Sequence, residues 1–139
     1  MKNAFILILL FAAGCATVKT TTTSDQTPEY QKVAFSLLGE DLTYTMNEPQ
    51  SYVLCVKEMP GTSQQPRNSI SFVVIDLSNN QMVIKQKLTG GTVGWYSDYE
   101  IEVFQTPGMV RHDQSKDDFT TIYNVTKGTS YPKKGKQTK

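Results

Sequence analysis

"SISFVVIDLSNNQMVIKQKL", residues 69–88, decides the fold. Apolar and polar residues alternate along it with a period of two, and β-branched side chains crowd its first half, a pattern of strands rather than helix. Asn79-Asn80 interrupts the run with two residues that tolerate positive φ, as a two-residue type I′ turn requires. That turn predicts a register pairing Leu77 with Met82 and Ile75 with Ile84 on one face. Asp76 then opposes Val83, and Val74 opposes Lys85, on the other. The first strand reads as central. The second carries Lys85 and Lys87 and reads as nearer an edge, where lysine discourages unwanted pairing.

The same period extends both ways. Upstream, "KVAFSLL" sets Val33, Phe35 and Leu37 on one face, and "LTYTM" does so with Leu42, Tyr44 and Met46. "SYVLCVKE" is apolar on both faces, with Tyr52, Leu54 and Val56 against Val53 and Cys55. After the Gly90-Gly91 break, "DYEIEVFQT" turns Tyr99, Ile101 and Val103 inward and Glu100 and Glu102 outward. In "DFTTIYNVT", Phe119, Thr121, Tyr123 and Val125 alternate with Thr120, Ile122 and Asn124. No helix of three turns is read between residues 30 and 132. Residues 29–132 are therefore expected to form an all-β domain, a single small antiparallel sandwich or barrel of about seven strands.

The chain start carries a different signal. Lys2 precedes an apolar run from Ala4 to Ala13, too short to span a bilayer core that needs about 20 helical residues. A short apolar run behind a positive start reads as a signal peptide. Ala12-Ala13-Gly14 then meet Cys15. This segment resembles the bacterial lipoprotein signal, whose lipobox ends in small residues and a lipidated cysteine, although Ala12 stands where leucine is usual. The resemblance covers residues 1–15 alone. It implies a signal peptide over 1–14, cleavage after Gly14, and a diacylglyceryl thioether on Cys15 with acylation of the new amino terminus. Several acyl chains make anchoring stable where one is marginal.

Residues 15–28 follow as the lipidated cysteine and a threonine-rich tether, which cannot bury apolar area and stays solvated. Ala16 stands where an aspartate marks inner-membrane retention, so the resemblance favours the outer membrane, facing the periplasm. Composition adds bounds. Residues 29–132 hold eight Lys/Arg against twelve Asp/Glu, whereas residues 133–139 carry Lys133, Lys134, Lys136 and Lys139 as a basic disordered tail. An exported chain leaves nucleic acid aside as a partner. With Cys15 lipidated, Cys55 has no disulfide partner and reads as a buried, inert thiol.

Two stretches are candidate sites. "GGTVGWYSDY" reads either as a hairpin loop leading into a strand with Trp95 plugging the core, or as a glycine-rich loop whose Trp95, Tyr96 and Tyr99 offer a stacking surface for a sugar ring or a protein. Trp95 and Tyr96 are consecutive, so on a strand they face opposite ways. "RHDQSKDD" gathers Arg111, His112, Asp113, Asp117 and Asp118 around the single histidine. Asp113, Ser115 and Asp117 have the alternation of calcium ligands, but the sixth-position glycine and twelfth-position glutamate are missing, so the loop reads as solvated. No motif calls for a metal or cofactor.

The sequence thus points to a membrane-tethered, non-enzymatic lipoprotein that binds an envelope protein or glycan. One version is an inhibitor or immunity lipoprotein whose loop plugs an incoming hydrolase. An enzyme acting on cell-wall or other glycans through Asp98, Glu100 or Asp113 is one alternative, and a purely structural lipoprotein is the other.

Overall fold

The computed structural model describes residues 27–133. The lipoprotein signal, Cys15, nearly all of the tether and residues 134–139 lie outside the described residues. Eight strands form two four-stranded antiparallel sheets. The first comprises β1 (Thr43–Met46), β2 (Tyr52–Met59), β3 (Ser69–Asp76) and β4 (Gln81–Thr89). The second comprises β5 (Gly91–Ser97), β6 (Glu100–Gln105), β7 (Thr120–Asn124) and β8 (Thr129–Pro132). Each sheet is a meander in chain order, so every connection is local.

The sheets face each other as a sandwich, not a closed barrel. Leu54, Ile70, Phe72, Val74 and Leu88 of the first meet Ile101 and Val103 of the second, and Val125 closes the layer. Burying a side chain of this size stabilises the fold by roughly 1.5–3 kcal/mol over leaving it exposed. The double-sided strand read from "SYVLCVKE" is real. Leu54 enters the inter-sheet core, while Val53 and Cys55 join Val73 and Ile75 in a second cluster on the outer face of the first sheet.

A helix, α1 (Glu29–Leu38), covers that outer face, and this corrects the strand expected over "KVAFSLL". Tyr30, Val33, Ala34, Leu37 and Leu38 recur at three- and four-residue steps and form one stripe on the second cluster. Phe35, expected on the same face as Val33 and Leu37, is 54% exposed. The apolar outer face of β2 and β3 needs a cover, and α1 supplies it. Gly39 ends the helix at φ 84, with its N–H on the Phe35 carbonyl at 2.8 Å.

The β3–β4 hairpin forms where expected, with β4 at the sheet edge, but its register differs. Asp76 pairs with Gln81, Ile75 with Met82 and Val74 with Ile84. The turn is four residues long because Asp76 organises it. Its Oδ1 accepts from the Ser78 N–H at 2.8 Å and from the Ser78 hydroxyl at 2.7 Å. Asn79 Oδ1 accepts from the Gln81 N–H at 2.9 Å, and of the two asparagines only Asn80 has positive φ, at 56°. A bulge then leaves Val83 unpaired, so Ile84 turns into the inter-sheet core beside Val74 rather than lying next to Ile75.

Two further strands were not legible. The glycine-rich "GTVGWYS" is strand β5 rather than a loop, and "TSYP" is the edge strand β8. Lys133, assigned to the tail, is held by Glu102 at 2.8 Å and Asp117 at 3.3 Å. Among the described residues every strand has its pairing partners within residues 43–132, and the helix packs onto the same segment through the second apolar cluster.

Candidate functional site

The turns at one end of the sandwich are fastened together by a single buried amide. Asn47 is 3% exposed and sits between β1 and β2. Its Nδ2 donates to the Asp98 carbonyl at 2.7 Å and the Ser51 hydroxyl at 3.1 Å. Its Oδ1 accepts from the N–H groups of Ser51 at 2.9 Å and Tyr52 at 2.8 Å. Both amide protons and both lone pairs are thus engaged. Asp98-Tyr99 is the two-residue connection between β5 and β6, so Asn47 of the first sheet fixes a turn of the second. The Val125 N–H donates to the Tyr99 carbonyl at 2.9 Å and adds the turn after β7 to the same rim.

The three aromatic candidates sit near this rim but face different ways. Trp95 is half-buried against the inter-sheet core, and its Nε1 donates to the Thr45 carbonyl at 2.9 Å, tying β5 to the edge strand β1. Its role here is architectural. Tyr96 is 49% exposed, with the Lys133 ammonium 5.5 Å from its ring centre. Opposite facing of this pair is as the strand geometry predicts. Tyr99 was expected inward on a strand, yet it lies in the turn and is 42% exposed. Its ring stands edge-on to Tyr52, at 6.3 Å and 89°. Among the described residues no ring contact joins Trp95, Tyr96 and Tyr99, so they do not make one flat platform.

Tyr99 and Tyr52 instead line a groove of about 450 Å³ between the turns, with Asp76, Asn124 and Lys127 at its edge. A neighbouring groove of about 320 Å³ lies between Met46, Glu48, Trp95 and Asp98. The two tyrosine rings of the first groove supply its apolar surface and the rest of its lining is polar, so it can offer both stacking and hydrogen bonds to a ligand. Alternation marks Tyr52 only as a strand residue, and nothing in the turn stretch "MNEPQS" marks Asn47, because its partner Asp98 is far along the chain.

The acidic candidates are not brought together. Glu100 accepts from the Tyr131 hydroxyl at 3.0 Å and Ser97 Oγ at 3.3 Å. Asp98 is exposed in the rim turn, while exposed Asp113 and His112 lie in the loop leaving the opposite end of β6. In "RHDQSKDD", Asp118 caps a short 3₁₀ helix by accepting from the Ser115 N–H at 2.7 Å. Asp117 turns to Lys133. Among the described residues three groups have shifted affinities for their protons. Hydrogen bonds to Glu102 and then Asp117 raise Lys133, and burial is the main cause that raises Tyr44. Burial pushes the Cys55 thiol up to about 12.

No protein-family model, curated protein or solved structure matches the chain. No helix among the described residues is long and apolar enough to cross a membrane.

Proposed function

We propose that the chain is a lipoprotein of the bacterial envelope, anchored through lipid on Cys15 to the outer membrane on its periplasmic side. Its sandwich acts as a non-enzymatic binding module for an envelope protein or glycan. The observation that carries the reading is the Tyr52–Tyr99 groove, an aromatic-lined recess with polar margins, set on turns that Asn47 holds rigid. Tyr99 and Tyr96 replace Trp95 as the contact residues, because the Trp95 indole is engaged with Thr45. Tethering raises the effective concentration of such a binder toward other membrane-bound partners. The separation of Asp98 and Glu100 from Asp113 weighs against a carboxylate-based glycan hydrolase.

The test has two arms in the native host. Cys15→Ser should abolish both labelling by a radioactive fatty acid and the mobility shift of processing. A photo-crosslinking side chain placed at position 99 should trap one partner that the same group at exposed Met109, on the far loop, does not. Processing and fatty-acid labelling of Cys15→Ser equal to the parent's would end the anchoring claim. Identical adducts from positions 99 and 109 would end the rim claim.

A further inference from the structure

Away from the rim, the outer face of the first sheet carries a groove of about 500 Å³ where α1 stops short of covering the strands. Three strands contribute one row across it: Lys57 of β2, Ser71 of β3 and Lys87 of β4 are direct register partners. Adjacent strands are about 4.8 Å apart, so the small serine leaves an opening flanked by two ammonium groups. Lys85 stands in the next row, opposite Val73. Two of the lysines are fixed in place. Lys57 Nζ donates to the Leu38 carbonyl at 3.1 Å and Lys85 Nζ to the Leu37 carbonyl at 3.2 Å, capping the helix end. Each ammonium keeps further protons for another acceptor.

Edge protection accounts for Lys85 and Lys87 on β4, and Lys57 lies one residue past Val56, where the pairing of β1 with β2 ends. Among the described residues none of the three forms a salt bridge, and the carboxylates that follow the helix, Glu40 and Asp41, stay exposed. A cluster of three cations without a counter-anion sits in a domain whose net charge over residues 29–132 is −4. The remaining wall is apolar, made by Leu37, Leu38 and Met59.

We propose that this groove binds the phosphate headgroup of an anionic phospholipid. The three ammonium groups and the Ser71 hydroxyl take the phosphate oxygens, and the apolar wall lies along the start of the acyl chains. A free phosphate would match the lysines but leave Leu37, Leu38 and Met59 unused, which is why the lipid is the occupant. The groove is separate from the aromatic rim, and the proposal stands or falls independently of the reading of that rim.

The test is co-sedimentation of residues 27–139 with vesicles of phosphatidylcholine alone or mixed with an equal part of phosphatidylglycerol. The variants are Lys87→Gln and Ser71→Glu, both of which leave the helix-capping lysines intact and keep the basic tail. The parent should partition at least about tenfold more strongly onto the anionic vesicles. Lys87→Gln should lose about fivefold, the equivalent of the roughly 1 kcal/mol that one lysine contributes at an anionic surface. Ser71→Glu, which sets a carboxylate between Lys57 and Lys87, should lose more while melting no lower than the parent. Equal partitioning of parent and Lys87→Gln, or no preference for the anionic vesicles, would overturn the proposal. Displacement from the vesicles by low millimolar inorganic phosphate would overturn the lipid as occupant. If Ser71→Glu does not fold, Lys87→Gln decides alone.

Discussion

Replacing Asn47 with alanine tests how the rim is held. The substitution removes four hydrogen bonds, at 2.7, 2.8, 2.9 and 3.1 Å, from a side chain that is 3% exposed. At about 1 kcal/mol net each the ceiling is near 4 kcal/mol. Ser51 is half-buried, so water recovers part of the loss at its N–H and hydroxyl, and about 2–3 kcal/mol remains. For a domain of roughly 100 residues this lowers the melting temperature by about 10–20 °C. Thermal melting followed by circular dichroism reads that shift. Asn47→Asp sharpens the test, since it retains the acceptors for Ser51 and Tyr52 but loses the donor to Asp98. It should therefore preserve amide-exchange protection at Tyr52 while loosening the Asp98-Tyr99 turn. An Asn47→Ala protein melting within about 2 °C of the parent would refute the reasoning, because a side chain with four buried bonds cannot be that dispensable.

Other outcomes follow from the same geometry. Gly91→Ala should prevent folding or lower stability severely, because Gly91 has φ 121 and an added Cβ would meet the Phe104 carbonyl oxygen at 2.0 Å. Gly94→Ala, three residues along the same strand, meets nothing within 4 Å and should melt at or slightly above the parent temperature. Trp95→Phe should keep most of the packing but lose the bond to Thr45, costing about 1 kcal/mol by denaturant titration. Native Cys55 should resist thiol reagents until the chain unfolds. Its thiol holds its proton from the ordinary 9.0 up to about 12, whereas the unfolded chain releases it near 9.0. Stability should accordingly be complete below that window and fall as pH rises through it, and Cys55→Ala should flatten the decline.

The sequence carried the sheet class through side chains whose burial repeats every two residues. Ile101 and Val103 turned inward, Glu100 and Glu102 outward, and Val53 and Cys55 formed a second apolar face, all as alternation dictates. That second face was itself the clue to a covering layer. The helix escaped because Val33, Phe35 and Leu37 satisfy a period of two while Tyr30, Val33, Ala34 and Leu37 satisfy the helical one. A ten-residue segment cannot settle that choice by itself, and the exposed apolar surface of β2 and β3 does. The hairpin register slipped because the Asp76 side chain, not the Asn-Asn pair, sets the turn. β5 and β8 were hidden by glycine and proline, which weaken strand signals without forbidding strands in pairing-compatible positions.

The candidate site was legible in part. Aromatic and glycine content singles out the stretch that carries Tyr99, but Tyr52, whose ring stands against it, comes from the other sheet. Such a pairing depends on how two sheets stack, which no local pattern encodes. The lysine row was equally hidden, since Lys57, Ser71 and Lys87 lie far apart in the chain and meet only through strand register.

Binding of an envelope partner through the aromatic rim is the role proposed for this domain. The most direct measurement is affinity capture from envelope extract by residues 27–139, beside a folded Tyr96→Ala, Tyr99→Ala variant. One partner, protein or glycan, retained by the parent and lost by the variant is the result predicted. Equal capture by both proteins, or capture by neither, would contradict it.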